Sequence, residues 1–230
     1  MRQNQKLRRM VMIALFCALS YVAMIVIHIK VGFLTMDVKD AVITLSGLYF
    51  GPLSAVLISV VVPLLELITI SDTGLYGLIM NILGSVAFAL TVSLFYKWKK
   101  TLWNAVWGLV SGVLVMTAVM VLANLFITPY FLGTTMDAVR GLIPTLLLPF
   151  NLLKGVINAG VVLLLYKPIS RALRKIGVLE RKSVAAGEDE TKRKKPRFTG
   201  IFVSLTALVL IAGALALIFT VLGGRFGFGK

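Results

Sequence analysis

Residues 41–70 read AVITLSGLYFGPLSAVLISVVVPLLELITI, an apolar run long enough for one long membrane crossing or for two short ones. The topology of everything downstream depends on which it is. Taken as one crossing, the run sends the next span, Leu75–Tyr96, the wrong way. It then leaves the basic KWKK cluster (Lys97, Lys99, Lys100) on the face opposite the basic amino terminus, against the preference of Lys and Arg for the cytoplasmic side. Two crossings put both clusters on one side. The break falls at FGP, Phe50–Pro52, because glycine allows a tight bend and proline starts a helix far better than it continues one. Ala41–Phe50 is then too short for a straight span at about 1.5 Å per residue. It is expected to be partial, tilted or covered by neighbours, since lipid cannot satisfy exposed backbone.

Composition agrees with a bilayer as the main solvent. Of the 230 residues 59% are hydrophobic and only 14% charged, and the mean hydropathy is +0.96, far from a soluble domain. The formal charge of +15 would suggest nucleic acid in a soluble protein. Here the surplus lies between apolar runs, where it orients spans, and no nucleic-acid role is expected. One cysteine, Cys17, and one histidine, His28, supply neither a disulfide framework nor a metal site. No catalytic residue, metal or resident cofactor is expected.

The first span is Met10–Ile29, entered from Arg2, Lys6, Arg8 and Arg9, which places the amino terminus in the cytoplasm. It is too long for the apolar core of a signal peptide and is read as retained. A polar loop with Lys30, Asp37, Lys39 and Asp40 comes next, then the two crossings divided at FGP. Leu75–Tyr96 returns to KWKK, Leu102–Ile127 climbs again, and a loop with Asp137 and Arg140 leads to a sixth helix, Thr145–Tyr166. Trp98, Trp103 and Trp107 flank the KWKK turn as an aromatic belt.

Residues 1–175 thus form a six-helix membrane domain. Residues 176–198 are a charged cytoplasmic linker without apolar periodicity, and residues 199–230 add a further crossing, Ile201–Leu222, and a short tail. The fold class is an all-α integral membrane protein with seven crossings and the carboxyl terminus outside. On this topology 18 of the 24 Lys and Arg are cytoplasmic. The tail GRFGFGK spells a phosphate-binding loop, but no strand precedes it and no Ser or Thr follows the lysine, so it is a chance match.

The helices bring several polar residues to one level in the outer third of the membrane: Asp37, Lys39 and Asp40 in the loop, Asn81, Asn124, and Asn151 with Lys154. Asn151, Lys154 and Asn158 share one helix face. An intramembrane lysine costs about 2.5 to 3.5 kcal/mol on insertion scales unless it has a partner, a water-filled cavity or a ligand. It could pair with Asp37 or Asp40 and hold the loop, which is compatible with a ligand beneath. Asn81 reads as interhelical glue; Asn124 and Asn151 read as ligand contacts. Glu66 reads as an interfacial carboxylate, with a proton or cation site as the alternative, and His28 as an interfacial side chain. Ala14 and Ala18, four apart in the first helix, let another helix approach closely, either within the bundle or from a separate subunit.

Three stretches in combination, ALFCA at 14–18, FLTMDVKDAVITLSGLYFGP at 33–52 and LLPFNLLKGVINA at 147–159, resemble the substrate-binding S components of energy-coupling-factor (ECF) vitamin transporters, most of all their riboflavin-binding branch. The resemblance covers about Leu7–Arg174 and leaves Ile201–Leu222 outside the family's six helices. It implies a vitamin-capturing subunit of the cell membrane that docks, through Ala14 and Ala18, on a transmembrane coupling subunit with two ATPases. It also implies that the loop Leu34–Asp40 closes over the vitamin and that Asn124, Asn151 and Lys154 bind the flavin. Riboflavin is neutral, with an edge that donates and accepts: an asparagine amide meets it in both senses and a lysine donates to it. Its ring faces need apolar contacts, available from Leu34, Met36 or Tyr130.

An intramembrane enzyme would need a nucleophile with its base or a metal cluster, neither of which the spans offer. A secondary transporter usually shows internal repeats and midplane coupling-ion residues, and neither is visible in the sequence.

Overall fold

The computed structural model describes residues 2–98, 100–178 and 196–226. Lys99 of KWKK, residues 179–195 of the linker and residues 227–230 of the tail lie outside the described residues. The helices are α1 (Arg2–Val26), α2 (Lys39–Phe50), α3 (Pro52–Thr69), α4 (Gly74–Trp98), α5 (Leu102–Leu132), α6 (Met136–Leu142), α7 (Leu148–Lys175) and α8 (Pro196–Thr220). Three short strands, β1 (Ile29–Val31), β2 (Leu34–Met36) and β3 (Arg225–Phe226), complete the chain. Among the described residues six stretches have the length and apolar character to cross a membrane. α2 is not one of them.

The break at FGP falls where the sequence places it. Gly51 ends α2 and precedes α3 with φ +96°, a region closed to other residues, and Pro52 opens α3. α2, twelve residues long, solves its shortness by burial: every residue except Tyr49 is buried, and α1, α3, α4 and α7 pack around it. Gly47 makes this close approach possible. A Cβ there would lie 2.0 Å from Ser93 Oγ and 2.9 Å from Ala55 Cβ. Gly47→Val is therefore expected to lower the thermal midpoint in detergent through overpacking worth about 1–3 kcal/mol; an unchanged midpoint would contradict the α2–α4 contact.

The structure differs from the sequence reading at three places. α1 stops at Val26, and the segment expected to finish the first span and begin a polar loop is a β-hairpin. Val31 faces Leu34 across Gly32 (φ +59°), which takes the turn. α5 runs through Pro129 to Leu132 and closes on Gly133 with φ +63°. The loop before the sixth helix is itself helical. α6 leads through a widened π turn at Ile143–Leu147, where Pro144 has no N–H to give, directly into α7.

α8 lies along α7. Gly160 lets it in: a Cβ at that position would stand 2.7 Å from Ile211 Cγ1 and 3.3 Å from the Ala207 carbonyl oxygen. At the end remote from the hairpin, Tyr49 and Tyr166 stack with ring centres 5.8 Å apart. The Tyr96 and Tyr166 hydroxyls share a hydrogen bond of 2.6 Å there, drawing α2, α4 and α7 together.

Candidate functional site

A cavity opens at the hairpin end of the bundle, between α3, α4, α5 and α7, with Phe33, Leu34 and Thr35 of the hairpin turn and β2 across it. Its polar lining comes from Asp40 of α2, Glu66 of α3, Asn81 and Ser85 of α4, Asn124 and Thr128 of α5, and Asn151 and Lys154 of α7. Its apolar lining includes Met80, Met116, Met120, Phe131 and Phe150. A few fixed polar groups set in an apolar wall is the usual character of a small-molecule site.

Asn151, Lys154 and Asn158 form one buried stripe of α7, as their spacing requires. Lys154 Nζ donates to Asp37 Oδ2 at 2.9 Å and to the Thr35 carbonyl oxygen at 3.1 Å. One of its three N–H groups is left. Asn158 ties the same segment from below. Its Nδ2 donates to the Asp37 carbonyl oxygen at 3.0 Å, and its Oδ1 accepts from the Ala41 amide at 2.8 Å. Burial pushes the Asp37 carboxyl up, but the Lys154 and Lys39 ammoniums overcome it and hold the group below the usual carboxylate range.

A chain of alternating charge continues beneath the cavity. Lys39 Nζ lies 3.5 Å from Asp37 Oδ2 and donates to Glu66 Oε2 at 2.7 Å. Glu66 Oε1 accepts from Asn81 Nδ2 at 3.0 Å. Asp40 accepts from the Ser85 hydroxyl. On α5, Asn124 donates to the Met120 carbonyl oxygen at 2.7 Å and accepts from Thr128 Oγ1 at 2.8 Å. Asn151 donates to the Leu147 carbonyl oxygen at 2.8 Å, and among the described residues no hydrogen bond uses its side-chain oxygen.

Six of the residues singled out in the sequence, Leu34, Asp40, Asn81, Asn124, Asn151 and Lys154, line this one cavity. The other three stand elsewhere. Met36 and Lys39 are fully buried, Met36 in the apolar layer beneath the hairpin and Lys39 in the charge chain. Tyr130 is 77% exposed and points away from the bundle; its neighbour Phe131 takes the cavity wall, because one residue along a helix turns a side chain by about 100°. Lys154 pairs with Asp37, the first of its two expected partners.

Glu66 is buried against Lys39 and Asn81 and also faces the cavity. A carboxylate within an apolar run demands such a partner, and that demand was the signal available in the sequence. His28 lines the mouth, with a buried Nδ1 that has no partner among the described residues. Ala14 and Ala18 are exposed on α1, on the face opposite buried Phe16, Ser20 and Met24.

Comparison with known proteins adds three findings. The family model "ECF transporter, substrate-specific component" matches residues 8–166. The riboflavin transporter RibU of Staphylococcus aureus (strain TCH60) is 28% identical over an alignment of 186 residues that covers 76% of this chain and 96% of that protein. The solved S component of a bacterial ECF transporter superposes with a TM-score of 0.64 at 26% identity, covering 74% of this chain and 99% of that one.

Proposed function

We propose that this chain, which belongs to the ECF transporter substrate-specific components, binds riboflavin in the cavity beneath the hairpin and carries it across the membrane when docked on an ATP-driven coupling module. The cavity lining is the observation that carries this reading. Two amides and a lysine with one N–H to spare offer donors and acceptors to the uracil-like edge of a flavin. Phe131, Met116 and Met120 across from Leu34 offer apolar surface to its ring faces. Asp40 and Asn81 stand within the same wall, suited to the hydroxyls of the ribityl chain. Lys39 and Met36 support the wall from below. The similarity to RibU, a riboflavin transporter, points to the same ligand.

The same reading assigns the rest of the chain. Residues 1–175 are the binding domain, 176–198 a charged tether and 199–230 an added helix and tail. The chain is multi-pass in the cell membrane, with the amino terminus cytoplasmic and the cavity mouth and carboxyl terminus outside. Ala14 and Ala18 give the transmembrane coupling subunit a smooth face on α1. The two ATPase subunits supply hydrolysis, and this chain is a binding subunit rather than an enzyme.

The test is titration of detergent-purified protein with riboflavin, followed by quenching of flavin fluorescence. Saturable quenching by micromolar protein is expected. Asn151→Ala should weaken it by about 1–3 kcal/mol, the cost of leaving a buried hydrogen-bonding group unpaired. Absence of quenching in the native chain would reject riboflavin, and other vitamins would then be the ligands to titrate.

A further inference from the structure

The matched family region ends at residue 166, and about three quarters of this chain already accounts for nearly the whole length of both relatives. The segment beyond α7 is attached to the cavity's cover. β3 pairs antiparallel with β1, setting Ile29 opposite Phe226 and Lys30 opposite Arg225, so β1 becomes the middle strand of a three-stranded sheet whose other edge is β2. Ala214 and Ile218 of α8 are buried in one apolar cluster with Ile29, Val31, Met36 and Val38 of the hairpin segment and Phe150 and Ile157 of α7. The return from α8 to β3 fits tightly: a Cβ on Gly224 would lie 2.7 Å from Ile218 Cγ2 and 3.2 Å from Ile29 Cγ2.

An isolated two-stranded hairpin is marginal on its own; a third strand and an apolar face to sit on change that. Here the strand comes from the segment beyond the family region, and α8 from that segment shares the apolar face with Phe150 and Ile157 of α7. We propose that α8 and β3 act as a strap that holds the β1–β2 hairpin over the cavity and slows ligand exchange. Besides breaking the Lys154 tether at Thr35, lifting the hairpin requires that β3 part from β1 or that the hairpin leave the cluster it shares with α8. The ligand enters this inference through the riboflavin reading, whereas the restraint on the hairpin does not depend on it.

The experiment uses a Cys17→Ser chain carrying Lys30→Cys and Arg225→Cys. Facing residues in an antiparallel pair have Cα atoms about 4.5–5.5 Å apart, within reach of a disulfide. Riboflavin dissociation is followed by displacement in the oxidised and reduced forms of this one protein. A second chain lacks residues 196–230, and its hairpin amides 29–36 are followed by hydrogen exchange.

Oxidation is expected to slow dissociation by roughly tenfold or more, and deletion to speed both dissociation and amide exchange by roughly tenfold, the scale of one or two backbone hydrogen bonds. Equal dissociation in oxidised and reduced protein, or equal amide exchange with and without residues 196–230, would overturn the strap. If the native chain binds no riboflavin, the ligand reading fails and the amide exchange still decides. If the shortened chain does not fold, the cysteine pair decides.

Discussion

Lys154→Met is expected to weaken riboflavin binding more than about hundredfold. Lys154 has two tasks at once. It fastens the hairpin through the Thr35 carbonyl oxygen and Asp37, and its remaining N–H is the donor that the riboflavin proposal gives to the ligand. Its removal leaves the buried Asp37 carboxylate with only Lys39, at 3.5 Å, and breaking a buried pair in this way costs about 3–5 kcal/mol. Fluorescence titration reads the affinity. The double variant Lys154→Met, Asp37→Asn separates the two tasks. It strands no charge, so thermal stability should return toward native, while affinity should stay low because tether and donor are both gone. Affinity within threefold of native in the single variant would refute the assignment.

The largest effect on folding is expected at Lys39→Met. Lys39 is inaccessible to solvent, its ammonium bridges Asp37 and Glu66, and its carbonyl oxygen accepts from Ser20 of α1 at 3.0 Å. Asp37 would still have Lys154. Glu66 would be left with the Asn81 amide alone, a buried charge without a counter-charge. The expected loss is about 3–5 kcal/mol, visible as a fall in thermal midpoint and of the monodisperse fraction in size-exclusion chromatography. Adding Glu66→Gln should recover most of it, since the amide can keep the contact with Asn81 and strands no charge. A single variant as stable as the native chain, or no recovery in the double, would show that the charge chain does not hold α2 and α3 together.

Features with long periods or strong charge asymmetry were legible in the sequence. The bend at FGP comes from what glycine and proline do to any backbone, and the shortness of Ala41–Phe50 already demands cover. The stripe Asn151, Lys154, Asn158 needs only helical spacing. Harder to read were features decided by distant partners or by a single residue of register. Each hairpin strand has three residues, too few for an alternating pattern to stand out from a polar loop. Glu66 meets Lys39 from 27 residues away, a distance that no local pattern reports. The choice between Tyr130 and Phe131 depends on α5 continuing through Pro129. That continuation is settled by the cap at Gly133, beyond the residue where proline first suggests a stop.

The burial of α2 bears on how the protein is made. A twelve-residue helix is about 18 Å long, short of the roughly 30 Å hydrocarbon core, and it begins with Lys39 and Asp40. A nascent chain that has emerged only as far as Phe50 has one helix, α1, with which to cover it. Stable insertion must await α3, which can enter with α2 as a helical hairpin folded at Gly51, and then α4 and α7, which close the remaining sides. The last of these is synthesised more than a hundred residues after α2 begins. Biogenesis of this bundle is therefore a delayed commitment: the segment at its centre joins the membrane on terms set by helices that the ribosome has not yet made.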